Sequence, residues 1–304
     1  MILLLVACVN IAAIPLLLMG VIRKIKARMQ NRIGAPVLQA FYDFGKLLRK
    51  SETISETASW VFLLAPRLNL VVVAVAALLI PWSGVAIPGA WGSATNFLLV
   101  VYLLGLGKFI SILAAMDTGS AFGGLGASRE ALISLLVEPA LMIGLGALAF
   151  GANSMDLSVI YSTSASQSVA VLVGASFVIA ALAELSRMPV DDPTTHLELT
   201  MVHEAMILEN SGRNLALVEL SVALRTCIFF GLAAQTFLHA LPQYVGLSQL
   251  PRYGVGIVAL FVVGALVAIA EGVLVKLNWR RMPNFVAFAI ALSSLAALIA
   301  VARG

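Results

Sequence analysis

The chain has 304 residues, of which 61% are hydrophobic and only 11% charged, with a mean hydropathy of +1.02. Soluble globular domains are nearer half apolar and a quarter charged, so the composition excludes a water-soluble domain and leaves the membrane class. A formal net charge of +4 would suit a nucleic-acid binder, but the basic residues cluster at the ends of apolar stretches, where membrane topology signals belong, and no nucleic-acid partner is expected. No polar block is long enough to fold alone, which makes residues 1–304 a single membrane domain. Cys8 and Cys227 lie far apart in apolar segments and form no CxxC site, so iron–sulfur chemistry would belong to a partner chain.

In chain order, apolar runs fall near 1–22, 61–80, 95–116, 131–150, 167–186, 214–238, 254–276 and 284–302. Each suffices to cross a hydrocarbon core of roughly 30 Å. The runs are continuous rather than alternating, and lipid cannot satisfy open strand edges. The expectation is an all-α, polytopic transmembrane bundle with about eight spans. In the first run, Leu5-Val6-Ala7-Cys8 resembles a lipoprotein cleavage box, but no charged region precedes it and the run reads as a retained helix.

After the first span, the segment 36–59 is too polar to cross. It carries Val37, Leu38, Phe41, Phe44, Leu47 and Leu48 at spacings of three and four, with Asp43, Lys46, Arg49 and Lys50 between them. That stripe predicts an amphipathic helix lying in the membrane interface; a solvated linker would not need it. Gly119, Gly123, Gly124 and Gly126 predict a flexible loop before the fourth span, without the GK[ST] of a phosphate-binding loop.

Ionisable residues stand inside the spans: Lys108 in the third, Glu138 in the fourth, Glu184 near the end of the fifth, Glu219 and Arg225 in the sixth, and Glu271 in the seventh. Glu130 reads as opening the fourth helix, where a carboxylate suits the positive helix terminus. Charge inside a bilayer is costly and is usually paired or functional. Two readings are open: structural ion pairs that lock helices together, or a relay of protonatable groups formed by Glu138, Glu184, Glu219, Lys108 and Glu130.

The largest polar loop, 187–212, holds Asp192-Pro193 as a helix start, with a helix expected from Thr194 to about Glu209. It carries His196, Glu198, His203 and Glu204, but Ile207 stands where an HExxH zinc site needs its second histidine, and no metal site is expected. Fourteen basic residues (Arg23 to Lys50, Arg129, Arg187, Arg213, Lys276, Arg280 and Arg281) fall on one side of an eight-span arrangement and two, Arg252 and Arg303, on the other. The basic side is therefore expected to be cytoplasmic, with both termini outside the plasma membrane.

Three blocks, in order, resemble a known family: Arg32-Ile-Gly-Ala-Pro36 through Leu38-Gln39, Asp43, Lys46-Leu47 and Lys50; then Gly126-Ala-Ser-Arg129 with Glu138; then Ala183-Glu184-Leu-Ser-Arg187-Met-Pro189-Val-Asp191, ending in Glu198-Leu199. Glu219 also falls where that family carries an intramembrane acid. Over nearly its whole length the chain resembles the membrane-anchor subunit shared by respiratory complex I and the membrane-bound group 4 [NiFe] hydrogenases. The segment Asp191 to Glu204, with Thr194 and His196 where complex I carries acids, resembles the formate hydrogenlyase and hydrogenase-4 component C branch. Ala40 replaces a proline usual in complex I, within a region that helps shape the quinone chamber there.

The resemblance implies a cofactor-free helical subunit that docks a soluble hydrogenase module. Its implied partners are the lipid bilayer, an iron–sulfur small subunit carrying a [4Fe–4S] centre, a [NiFe] large subunit and antiporter-like membrane subunits. Arg187, Asp191, Asp192, His196, Glu198, His203 and Glu204 would line the docking face, and Arg32, Gln39, Asp43 and Lys46 would mark the interfacial helix. The alternatives are a quinone-site subunit of a complex I-type NADH dehydrogenase and a stand-alone ion transporter, which should show symmetric broken spans.

Overall fold

The computed structural model describes residues 9–84, 95–191 and 201–303. Cys8, Asp192, His196 and Glu198 lie outside the described residues. The helices are α1 (Ile14–Met29), α2 (Gln39–Arg49), α3 (Trp60–Leu79), α4 (Phe97–Asp117), α5 (Ala121–Ala152), α6 (Leu157–Ile160), α7 (Gln167–Glu184), α8 (His203–Ile207), α9 (Gly212–His239), α10 (Pro242–Val245), α11 (Gln249–Val273) and α12 (Met282–Arg303). There is no strand among the described residues. Seven helices (α3, α4, α5, α7, α9, α11, and α12 with the turn before it) are long and apolar enough to cross a bilayer. The expected first span lies partly outside the described residues, and its described helix, α1, runs for 16 residues.

Side-chain caps explain several boundaries. Ser59, Asn96, Ser120 and Asp156 each accept a backbone N–H from the first turn of the helix that follows. Ser120 corrects the expected glycine loop. With Gly119 at φ +66 ending the turn before it, α5 begins at Ala121, and Gly123, Gly124 and Gly126 are helical. Glu130 consequently lies well inside the helix and not at its start. At about 48 Å, a helix of 32 residues outruns a hydrocarbon core of roughly 30 Å, so its first turns project beyond the span.

The helix expected over 36–59 is shorter in the structure. It is α2 alone, and Lys50 turns extended at its C-terminus. The polar stretch beyond it bonds to other elements: Thr53 exchanges two hydrogen bonds with Ser211 at 2.8 Å each, and Thr57 donates to the Thr118 carbonyl. Side-chain bonds of this kind compete with the helical ladder. Of the expected helix from Thr194 to about Glu209, residues 194–200 lie outside the described residues. Val202 is not helical and gives its N–H to Asp191 Oδ2 at 2.8 Å, so the described helical part is the short α8.

α9 is the hub. It packs against α7, α3, α11, α1 and α2, and 67% of its membrane window is buried, against 28% for α11 and α12. α5, α7 and α12 pack on one another, as do α3 with α4 and α1 with α11. The buried apolar core runs through all of these, with Trp82, Phe177, Phe229 and Phe230 among its largest members.

The projecting start of α5 touches α8 at Gly126. A Cβ there would come within 2.8 Å of the Val202 carbonyl oxygen and 2.9 Å of Met206 Cγ, whereas one at Gly124 meets nothing within 4 Å. Gly126→Ala should therefore destabilise the protein by about 1–3 kcal/mol, the usual range for overpacking. Gly124→Ala should be neutral or stabilising, because alanine is the better helix former. Thermal unfolding in detergent tests this, and equal melting temperatures for the two variants would refute the close approach.

Candidate functional site

Lys108 projects from α4 into the protein. Its ammonium donates to the Glu184 backbone carbonyl at 2.8 Å, pairs with the Glu130 carboxylate of α5, and lies 3.6 Å from Glu184 Oε1. Glu184 is the last residue of α7, where helical carbonyls lack partners, so the ammonium satisfies one of them at the negative end of the helix dipole. From α9, Arg225 reaches within 3.8 Å of Glu184 Oε1 and donates to Asn69 Oδ1 of α3 at 3.3 Å. Asn69 in turn donates to Ser111 Oγ, and Ser186 Oγ donates to Glu130 Oε2.

All four charged groups are at most 6% exposed. Two cations and two carboxylates balance formally, which is what makes the burial tolerable: each ion's desolvation is offset by opposite charge and further hydrogen bonds. Gly107 gives Arg225 its room, since a Cβ there would lie 2.8 Å from the guanidinium and 2.9 Å from Asn69 Oδ1. Beside the cluster is a cavity of about 40 Å³ lined by Asn69, Lys108, Glu130, His203 and Arg225.

A second buried set lies toward the loop end. Glu271 of α11 is 6% exposed and pairs with Lys26 of α1 and Arg187, each at 3.0 Å. Arg187 also stacks 5.5 Å over the Phe230 ring. Asp191 takes Lys276 at 2.7 Å on one oxygen and the Val202 N–H on the other. Arg129 donates to the Met201 carbonyl and stacks over Trp279. These contacts pin the loop after α7 over a larger cavity of about 540 Å³, bounded by α1, α9 and the loop. Arg23, Arg32, Arg187, Glu204 and Glu271 are among its walls.

The remaining expected residues sit apart from the inner cluster. Glu138 is half-buried in α5 beside Gly105 and makes no hydrogen bond or ion pair among the described residues. Glu219 is 44% exposed on α9 and lies 3.9 Å from Arg23, which also faces Asp43 at 3.6 Å. Gln39 donates to Asp43, Lys46 is exposed, and Arg32 is exposed at the rim of the larger cavity. Burial raises the Glu204 carboxyl, helped by Glu219 and Asp191 and opposed by Arg23. Burial, then the nearby Lys108 and Arg225, pushes the His203 imidazole down to about 3, so it is neutral at ordinary pH. Among the described residues, no three His, Cys, Asp or Glu side chains converge as a metal site would require.

Against this geometry, the family model described as NADH dehydrogenase matches residues 1–302. The chain belongs to the NADH dehydrogenase family. Within this family it is 30% identical to formate hydrogenlyase subunit 4 of Escherichia coli K12, over 86% of this chain and 83% of that one. It is 32% identical to hydrogenase-4 component C of the same organism, over 72% and 69%. An NADH-quinone oxidoreductase subunit of Thermomicrobium roseum is 29% identical over 71% and 70%. The fold matches a chain of the archaeal membrane-bound sulfane sulfur reductase complex with a TM-score of 0.81 at 20% identity, covering 98% of each.

Arg225 and Glu271 stand out in the sequence as charges inside spans, but nothing local says which groups they meet. Other site members escape a reading of the sequence: Lys26 is hidden in a basic run that reads as a topology signal, and Asn69, Ser111 and Ser186 carry no charge to draw attention. Of these four, Asn69 leaves the clearest signal, as an amide inside an apolar run.

Removing the Glu271 carboxylate leaves Lys26 and Arg187 facing each other without their shared anion. Glu271→Gln should cost about 3–5 kcal/mol of stability, the scale for breaking a buried pair. A further Lys26→Met change should restore part of it. Melting in detergent measures both, and a single variant as stable as the parent would refute the pairing.

Proposed function

We propose that this chain is the membrane-anchoring, proton-coupling subunit of a multisubunit membrane-bound [NiFe]-hydrogenase complex of the formate hydrogenlyase type. The observation that carries this reading is the balanced set Lys108, Glu130, Glu184 and Arg225, buried in the bundle against the 187–212 loop, whose His203 and Met206 share its cavity. In such a set each proton affinity depends on the charge of the others, so a charge change at the loop shifts the protonation of the cluster. The similarity to formate hydrogenlyase subunit 4 and hydrogenase-4 component C supports the hydrogenase branch.

In this scheme the basic side of the bundle is cytoplasmic and both termini are outside. Arg187, Asp191, His203 and Glu204, with Asp192, His196 and Glu198, line the face beneath an iron–sulfur small subunit and its [NiFe] partner. Those partners hold the [4Fe–4S] and nickel–iron centres, while this chain's residues hold and pass protons. Glu219 stands at the entry beside Arg23, Lys108 with Glu130 and Glu184 forms the interior, and Glu138 continues toward antiporter-like membrane subunits. A carboxylate at membrane depth with no partner among the described residues is costly beside lipid, which supports a protein neighbour at Glu138.

The larger cavity favours a second reading, a quinone-site subunit of a complex I-type NADH dehydrogenase. At about 540 Å³ it falls within the size of small-molecule sites. Metal analysis of the purified complex separates the two: nickel with hydrogen evolution supports the hydrogenase, and quinone reduction without nickel supports the alternative. For the relay, Glu138→Gln in the complex reconstituted in vesicles should lower coupled proton movement by about a hundredfold, the lower range for loss of one positioned acid–base group, with subunit composition unchanged. Full coupled movement in that variant would overturn the relay.

A further inference from the structure

The two cavities adjoin, and few side chains line both. The inner cavity of about 40 Å³ has room for about two or three waters and touches Lys108, Glu130 and Arg225. The outer cavity of about 540 Å³ reaches Arg187, Glu204 and Glu271 and opens toward the rim at Arg32. His203 and Val222 line both. Val222 has nothing to exchange a proton with. Ser186 lines the outer cavity and donates to Glu130 Oε2 at 3.3 Å, so its hydroxyl also touches the inner set.

The His203 imidazole lines both cavities and makes no hydrogen bond or ion pair among the described residues, so no protein partner there occupies its ring nitrogens. It is held on α8, whose place is set by the contact of Met206 and Val202 with Gly126 and by the Val202–Asp191 hydrogen bond. From these observations we infer that His203 is the proton bridge between the outer cavity and the Lys108–Glu130 pair. A proton taken on one ring nitrogen from the outer cavity is matched by one released from the other nitrogen into the inner cavity. The ring thus exchanges tautomers, gains no net charge over a cycle and resets by rotation about its side-chain bonds. Burial beside Lys108 and Arg225 keeps the resting ring neutral, the form that both accepts and donates.

The bridge rests on the relay reading of the buried set, and one experiment separates the two. Three versions of the complex, the parent, Glu130→Gln and His203→Ala, are purified, checked for subunit composition and reconstituted in vesicles containing a pH-sensitive dye. Glu130→Gln and His203→Ala are each expected to lower coupled proton uptake by about a hundredfold. Adding 4-methylimidazole should restore uptake in His203→Ala alone, in proportion to the added base, because the small base fills the space the side chain vacates. A merely structural role for His203 would not respond to the base. Loss in Glu130→Gln with full uptake in His203→Ala overturns the bridge and leaves the relay standing. Loss in His203→Ala that 4-methylimidazole does not repair also overturns the bridge. Full uptake in Glu130→Gln overturns the relay reading and the bridge with it.

Discussion

The structure depends on the need to compensate one buried ammonium. Lys108 sits in the middle of an apolar helix, where an isolated cation would be prohibitively costly. Its three contacts come from two other helices: the Glu130 carboxylate from α5, and the carbonyl and carboxylate of Glu184 from the end of α7. Glu184 then calls for Arg225 on α9, and Arg225 for Asn69 on α3. Five helices are thereby held in one mutual register, because shifting any of them leaves a buried charge or amide without its partner.

The same rule organises the loop side of the molecule. Glu271 is matched by Lys26 and Arg187, and Asp191 by Lys276 and the Val202 N–H. These pairs join α1, α11 and the segment after α7 around the larger cavity. The inner and outer sets meet at His203 and at the Ser186–Glu130 hydrogen bond. The inner set is formally neutral, so it needs no net charge to persist at rest, whereas the outer set carries a cation in excess.

What is legible along the chain is whatever depends on neighbours in sequence. Lys108, Glu184 and Glu138 stand out because a charge within an apolar run is conspicuous, and α2 because its apolar residues recur at helical spacing. The start of α5 is hidden because glycines favour loops by intrinsic propensity, and the close approach of Val202 and Met206 that makes Gly126 useful comes from a segment more than seventy residues away. Glu130 resembles a helix-terminal charge for the same reason. Lys26 and Arg28 look alike in sequence, yet only Lys26 pairs with Glu271, a distinction that requires α1 to lie beside α11.

By itself, then, the sequence determined the membrane environment, the all-helical architecture and most of the spans, because hydropathy over about twenty residues and the obligation to satisfy backbone groups in lipid are local constraints. Only the tertiary structure decided which charges neutralise which, that Glu130 has an ion-pair partner among the described residues while Glu138 does not, and that His203 lines two adjoining cavities. Those outcomes rest on how helices far apart in sequence cross one another, and an ion pair such as Lys108–Glu130 or Arg187–Glu271 forms only where that crossing brings opposite charges within a few ångströms.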